Sequence, residues 1–256
     1  MIGVRNGVSI GVVALVVVLL VLHAGHGVGT AGWATGLASA VVLAVAAARC
    51  AGRSGIERLG PADVVTVVRA TLACAVAALV ADSSSGGTVG PTLVALATIA
   101  LALDAVDGRV ARRTGTASAF GARLDGEADA FLMLVLSVHV ARWAGTWVLA
   151  MGAARYLFAM AGWVLPWMRA QLPARPWRKV VTATAGISLV LAASGLRPAT
   201  AVYAALGVGF LLLAESFGRD VWWLWCRRPV EQGARDAQDS PPTGVDATRP
   251  LRQPSP

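Results

Sequence analysis

The chain has 256 residues, of which 56% are hydrophobic and 14% are charged, and its mean hydropathy is +0.66. Soluble domains carry about a quarter charged residues, so this composition excludes a disordered chain and fits an ordinary soluble domain poorly. The net charge of +8 would suit a nucleic-acid partner. The basic residues interrupt long apolar stretches, however, which indicates a membrane protein with no nucleic-acid partner.

Eight apolar segments follow one another along the chain, each close to the length of about 20 residues that a helix needs to cross a bilayer. They occupy residues 8–23, 32–49, 64–81, 92–109, 124–141, 147–166, 180–195 and 199–217. Glycine, proline, serine or clustered arginine separates them, as helix ends require. These patterns predict an all-α integral membrane bundle of about eight transmembrane helices.

The predicted bundle divides into four parts along the chain. These are two extra N-terminal helices within 1–50, a juxtamembrane segment at 51–62, a six-helix domain at 63–218 and a disordered tail at 219–256. Residues 229–256 hold six of the twelve prolines and no apolar run, a composition typical of disorder. The stretch 1–24 also fits a cleavable signal peptide, an alternative that would leave seven helices.

Basic residues are distributed unevenly between the two sets of connections. Eighteen of them fall on the side that holds both termini, whereas the opposite side has only Arg142 and Arg197. Cytoplasmic loops of membrane proteins carry the excess of Lys and Arg. We therefore predict a multi-pass protein of the cell membrane with both termini in the cytoplasm.

Four aspartates lie at the cytoplasmic ends of two consecutive predicted helices, namely Asp104, Asp107, Asp125 and Asp129. Spacings of three and four residues place each pair on one helix face. The short connection makes the helices antiparallel neighbours, so the four carboxylates converge. Ionisable groups inside membrane spans are costly and usually functional, and converging carboxylates repel one another without a cation. Oxygen ligands favour Mg²⁺ or Mn²⁺, and two such ions would suit phosphoryl-type transfer.

The segment 104–129 carries a specific motif, which reads D-x2-D-G-x2-A-R-x8-G-x3-D-x3-D. All eight fixed residues and both gaps resemble the signature of CDP-alcohol phosphotransferases, and the resemblance extends over about residues 60–218. It implies a membrane enzyme with a six-helix core that displaces CMP from a CDP-linked lipid, typically CDP-diacylglycerol, with an acceptor hydroxyl. Its active site would face the cytoplasm.

The resemblance also implies roles for single residues. The two-metal centre would be held by Asp104, Asp107, Asp125 and Asp129. Asp129 would in addition act as the general base that deprotonates the acceptor. The cytidine diphosphate site would be lined by Gly108, Ala111, Arg112 and Gly121. The family's dimeric habit implies a homodimer.

A second, shorter similarity precedes this motif. Residues 61–69 read P-A-D-V-V-T-V-V-R and resemble the family's P-x-N-x2-T-x2-R at the opening of the first core helix. By this resemblance Thr66 joins the CDP site, and Arg69 on the same helix face points toward the bundle and the acceptor. Asp63 replaces the usual Asn and either caps the helix or reaches the metal site. Arg69 has an alternative interpretation as a charge that snorkels or pairs with Asp82.

Further cations suggest where a phosphorylated acceptor would bind. Arg155 lies inside a predicted span, where an unpaired cation is costly, and Lys179 lies in the next cytoplasmic connection. By resemblance to family members with phosphorylated acceptors, both are candidates to hold the acceptor phosphate. Glycerol 3-phosphate and inositol phosphate would both suit such a site. Lys179 is explained equally well by the general excess of basic residues in cytoplasmic loops.

Two other functional classes compete with a transferase. A divalent-cation transporter would also place carboxylates within the membrane, but near its middle and often between inverted repeats. Here the acids lie at helix ends and no repeat is evident. A non-catalytic membrane scaffold with the same fold would have no reason to keep a complete set of mutually repelling acids.

Overall fold

The computed structural model describes residues 2–54, 58–83, 90–114, 118–170, 172–173, 176–196 and 198–227. Eight helices run through these residues: α1 (Val4–His26), α2 (Thr30–Ser54), α3 (Pro61–Ser83), α4 (Gly90–Thr114), α5 (Ala119–Ala144), α6 (Leu149–Val164), α7 (Pro176–Ala193) and α8 (Ala199–Cys226). Each helix coincides with one predicted apolar segment, so the predicted all-α architecture is confirmed.

The remaining regular structure is short. Two 3-10 turns, Thr146–Val148 and Pro166–Arg169, flank α6. Two-residue strands at Ile2–Gly3 and Arg58–Leu59 pair antiparallel and join the start of α1 to the segment before α3. The N-terminus is thereby tied to the beginning of the helix that carries the first site residues.

Five helical stretches in the described residues are long and apolar enough to cross a membrane. They are Ser9–His26, Thr30–Gly52, Asp63–Ser83, Thr146–Val164 and Ala199–Cys226. The apolar part of α4 is shorter, Gly90–Asp104, because charged residues follow it. Large apolar side chains such as Val21, Val42 and Leu211 cover the outside of the bundle. This surface is the one expected of a membrane helical bundle.

α3 lies at the centre of the bundle. Two thirds of its apolar span, 67%, is buried, against 17% for α1, and it packs against α1, α2, α4 and α5. Its middle section is built from small residues, with Ala73, Ala75 and Ala78 fully enclosed. Small side chains let neighbouring helices approach closely, which is how membrane helices associate. A polar residue on α3 therefore faces its neighbours rather than lipid.

The two N-terminal helices pack closely on this central helix. In the turn between α1 and α2, the backbone N–H of Gly29 donates a 2.8 Å hydrogen bond to Oδ1 of Asp82 at the end of α3. A Cβ atom on Gly32 would lie 3.0 Å from the carbonyl oxygen of Ala78. The close approach shows that α1 and α2 are fitted to α3. It also gives Asp82 a partner other than Arg69.

α8 continues to Cys226, nine residues beyond its predicted end at 217. In its last turns Asp220 pairs with Arg178 on α7 at 2.7 Å, while Trp222, Trp223 and Trp225 add apolar surface. The predicted disordered tail therefore overlaps the helix between 219 and 226. The rest of that predicted tail, from 228 onward, lies outside the described residues, as does Arg197.

Candidate active site

Three of the four predicted acids come together at one end of the bundle. Asp104 extends from α4, while Asp125 and Asp129 extend from successive turns of α5. One carboxylate oxygen of each lies within 4.8 Å of the other two. All three side chains are partly buried. We call these three residues the acid cluster.

The fourth acid lies on the same helix as Asp104. The backbone of Asp107 belongs to α4, as do those of Gly108, Ala111 and Arg112. The side chains of these residues lie outside the described part of the structure. Their predicted roles in binding metal and cytidine diphosphate stay predictions.

The buried cation of the acid cluster is Arg69 on α3, whose side chain is 2% exposed. Its Nη1 lies 3.1 Å from Oδ1 of Asp104 and pairs with Asp125, while its Nη2 pairs with Asp129. Its Nε donates to the carbonyl oxygen of Ala100 at 3.2 Å. The position of α3 between α4 and α5 makes these contacts possible. The alternative pairing of Arg69 with Asp82 is therefore wrong.

The charge and chemistry of the acid cluster fit a divalent cation. With all three carboxylates ionised, the acid cluster and its guanidinium would carry a net charge of −2. Hard divalent ions such as Mg²⁺ prefer oxygen ligands and commonly use one or two carboxylates together with substrate phosphate oxygens. The mutual distances of the carboxylate oxygens allow them to bind a common ion.

Arg155 on α6 contacts α5 at the two residues that follow Asp125 in the sequence. Its Nη2 pairs with Oε1 of Glu127 at 2.9 Å, and a Cβ on Gly126 would lie 3.0 Å from the same nitrogen. The guanidinium thus crosses α5 at the residue that follows Asp125. The Arg155 side chain is 47% exposed, so its remaining donors can reach a ligand from solvent.

Lys179 is exposed near the start of α7. No ion pair among the described residues joins it to the acid cluster. The structure therefore brings Arg69 into contact with the acids, brings Arg155 to Glu127 on α5, and leaves Lys179 on the surface.

Asp63 is buried, with 2% exposure, and links the first turns of two helices. Its Oδ2 accepts a 2.8 Å hydrogen bond from the backbone N–H of Gly60, whose carbonyl oxygen accepts the first helical bond of α3 from Val64. Its Oδ1 accepts a 2.6 Å bond from Oγ of Ser118. This geometry is that of a helix cap, the first of the two alternatives for Asp63. The acid cluster does not include it.

Ser118 in turn caps α5, because its Oγ accepts a 2.8 Å hydrogen bond from the backbone N–H of Gly121. A Cβ on Gly121 would lie 2.4 Å from Oδ1 of Asp63. Glycine is therefore needed here for the approach of a buried carboxylate, a structural requirement that sequence reasoning missed. The signal available in the sequence was Ser118, a capping residue three positions before the glycine.

Thr66 lies on α3 between Asp63 and Arg69 and is buried. One turn of helix separates it from each of them. Its side chain therefore belongs to the face of α3 that carries the cap at one end and the guanidinium at the other.

Comparison with known protein families gives one finding. The family model described as CDP-alcohol phosphatidyltransferase matches residues 59–218, more than half of the chain. The matched region holds Asp63, Arg69 and the whole acid cluster, and it leaves α1 and α2 outside. No curated protein and no solved structure gives a significant match. Enzymes of this family transfer a phosphatidyl group from a CDP-alcohol to an alcohol and use divalent metals. The chain belongs to the CDP-alcohol phosphatidyltransferase family.

Proposed function

We propose that this protein is an enzyme of phospholipid synthesis. It transfers a phosphatidyl or similar phosphoalcohol group from a CDP-alcohol such as CDP-diacylglycerol to an acceptor hydroxyl and releases CMP. The observation that carries this proposal is the acid cluster with its buried Arg69, placed inside the region that matches the family.

The carboxylates divide the chemical work. Asp104, Asp107, Asp125 and Asp129 would hold two Mg²⁺ or Mn²⁺ ions. Such ions, when bound, neutralise the diphosphate of the donor and polarise its phosphorus. Asp129 takes the proton of the acceptor hydroxyl as that oxygen bonds to the phosphorus bearing the lipid alcohol. The bond from this phosphorus to the bridging oxygen breaks, and CMP leaves with that oxygen.

Arg69 holds the carboxylates in place. A side chain with 2% exposure that already contacts three acids has little surface left for a substrate. This burial favours a role in positioning the acids over the direct acceptor contact expected from the sequence. Thr66, one turn away and buried, would support the cytidine diphosphate site together with Gly108, Ala111, Arg112 and Gly121.

The acceptor phosphate is assigned to the cations that solvent can reach. Arg155 lies beside the residue following Asp125 and is half exposed, which supports it as a ligand of glycerol 3-phosphate or inositol phosphate. Lys179 would contribute only if the acceptor extends to the start of α7. An arginine suits this role because its fork of donors matches a phosphate.

The orientation that we propose rests on the charge distribution. The eighteen basic residues on the side of both termini support a cell-membrane protein with that side, and with it the acid cluster, in the cytoplasm. CDP-linked donors with a charged nucleotide would then reach the site from the cytoplasm. The protein would act as a homodimer, as the family resemblance implies.

CMP release tests the proposal. Purified protein is incubated with Mn²⁺, CDP-diacylglycerol and a panel of phosphorylated and unphosphorylated alcohols, and CMP is followed with time. We expect CMP with at least one acceptor. The rate of CMP release should fall about 10²-fold or more in Asp129→Asn, the scale of general-base catalysis. Glu215→Gln, which removes a surface carboxylate of α8, is the matched control and should retain turnover.

Two results would refute parts of this proposal. Absence of CMP with every acceptor would favour a cation transporter or a non-catalytic scaffold, neither of which forms CMP. Full turnover in Asp129→Asn would remove Asp129 as the base while leaving the reaction in place.

A further inference from the structure

A basic and aromatic cleft lies between the first turn of α7 and the last turns of α8. Its volume is about 530 Å³. The walls include three arginines and three tryptophans, namely Arg178, Arg219, Arg227, Trp177, Trp222 and Trp223. None of these residues belongs to α3, α4 or α5, which carry the acid cluster. Most of them follow residue 218, where the match to the family ends.

The charge of the cleft is positive. Asp220 is the acid in its lining, and it is buried against Nη2 of Arg178 at 2.7 Å. Arg219 pairs with Glu215 at 2.9 Å, but both side chains are well exposed. Exposed pairs of this kind are weak, so Arg219 is free to turn toward an anion. Three guanidiniums therefore surround one carboxylate in the lining.

Two of the arginines are held ready for an anionic ligand. The guanidinium carbon of Arg227 lies 4.0 Å from the ring centroid of Trp223, a stacking that fixes its plane and leaves its N–H edge available. Nε of Arg178 is buried and donates to no acceptor among the described residues. The large majority of buried polar side-chain atoms in proteins have a hydrogen-bond partner. A phosphate oxygen in the cleft would provide the acceptor.

The tryptophans indicate the depth of the cleft in the bilayer. Trp177 is 47% exposed and Trp222 is 70% exposed. Exposed tryptophans of membrane proteins are enriched where lipid headgroups meet water. Basic pockets between helices at this level bind the headgroups of anionic lipids. Tryptophans at this level would bring the phosphate groups of surrounding lipid to the height of the three arginines.

We propose that this cleft binds the phosphate of an anionic phospholipid, at a site separate from the acid cluster. The arginines contact the phosphate, and the exposed tryptophans pack on the glycerol and the upper acyl chain. The proposal does not depend on the transferase reaction, because it shares no residue with that site.

Lipid binding to the full chain tests this site. The protein in uncharged detergent is titrated with short-chain phosphatidylglycerol, with phosphatidylcholine of the same chains, and with inorganic phosphate, and bound ligand is counted by native mass spectrometry. We expect phosphatidylglycerol to bind more tightly than phosphatidylcholine. The double variant R219Q/R227Q should weaken that binding about thirtyfold, because each arginine near an anionic surface contributes about fivefold.

Three further variants make the result specific. Arg178→Lys keeps the charge beside Asp220 but removes the buried Nε donor, and it should also weaken phosphatidylglycerol binding. Arg49→Gln changes an exposed arginine of α2 and should leave binding unchanged. Asp129→Asn should bind the lipid like wild type, which separates this site from the acid cluster.

The proposal is overturned if phosphatidylglycerol shows no preference over phosphatidylcholine, or if the double variant binds it as tightly as wild type does. Displacement of phosphatidylglycerol by inorganic phosphate at equal concentration would assign the cleft to free phosphate and overturn the lipid as its source.

Discussion

Oγ of Ser118 donates a 2.6 Å hydrogen bond to Oδ1 of Asp63, and this bond joins the first turns of α3 and α5. Each residue also caps its own helix, Asp63 through Gly60 and Ser118 through Gly121. α3 carries Arg69 and α5 carries Asp125 and Asp129. The bond therefore fixes the two helices whose charges meet in the acid cluster.

Removal of the Asp63 carboxylate should destabilise the protein. Asp63→Ala leaves the N–H of Gly60 and the hydroxyl of Ser118 without their acceptor, which costs about 1–3 kcal/mol for buried donors. Asp63→Asn is the matched control, because its amide can accept from Gly60 and donate to Ser118. Denaturant unfolding in detergent should show a clear decrease in the free energy of unfolding for Asp63→Ala and a small decrease for Asp63→Asn. Equal stability of the alanine variant and wild type would contradict the link.

Gly121 should tolerate no added methyl group. Its Cβ would lie 2.4 Å from Oδ1 of Asp63, so Gly121→Ala must push α5 away from α3, at a cost of about 1–3 kcal/mol. The control is Gly207→Ala in α8, where no atom lies within 4 Å of the added carbon. That variant should be neutral or up to about 1 kcal/mol more stable. Thermal unfolding should give a lower unfolding temperature for Gly121→Ala than for Gly207→Ala. Equal unfolding temperatures would show that α5 moves away from α3 without cost.

Arg69 should stabilise the acid cluster when metal is removed. Arg69→Gln leaves three partly exposed carboxylates at close range without their guanidinium, which costs about 1–3 kcal/mol, less than the loss of a partner from a fully buried pair. We expect a lower unfolding temperature in a chelator and a larger rise on adding Mn²⁺ than in wild type, since the ion restores the missing charge. Arg69→Lys retains the charge but has no fork to reach two acids. Its unfolding temperature should therefore lie between those of wild type and Arg69→Gln. An unchanged response to Mn²⁺ in Arg69→Gln would refute this.

The sequence predicted the parts of the fold that depend on apolar length and local spacing. Eight apolar segments correspond to eight helices, because burial of long apolar stretches dominates in a membrane. The convergence of Asp104 with Asp125 and Asp129 was also predicted correctly. Among the described residues, the expected direct neighbourhood of α4 and α5 was wrong, because both helices pack on α3, which lies between them.

Contacts between distant segments could not be predicted in the same way. Arg69 had several possible partners, and the choice of the acid cluster over Asp82 depends on α3 lying between α4 and α5. The role of Gly121 depends on Asp63, which lies 58 positions earlier in the chain. The last turns of α8 carry Asp220, whose partner Arg178 lies on another helix. Each of these features is set by three-dimensional packing.

Arg155 should determine the affinity for a phosphorylated acceptor. It reaches across Gly126 to Glu127 and is half exposed, so Arg155→Gln should raise KM for the acceptor about tenfold, the scale of one charge-assisted contact, and change kcat little. KM for the CDP-linked donor should stay constant. The control is Arg123→Gln, which changes an exposed arginine one turn before Glu127 on α5. It should leave kcat and KM for the acceptor unchanged. CMP release at varied acceptor concentration measures kcat and KM. A tenfold fall in kcat with unchanged KM would place Arg155 outside the acceptor site.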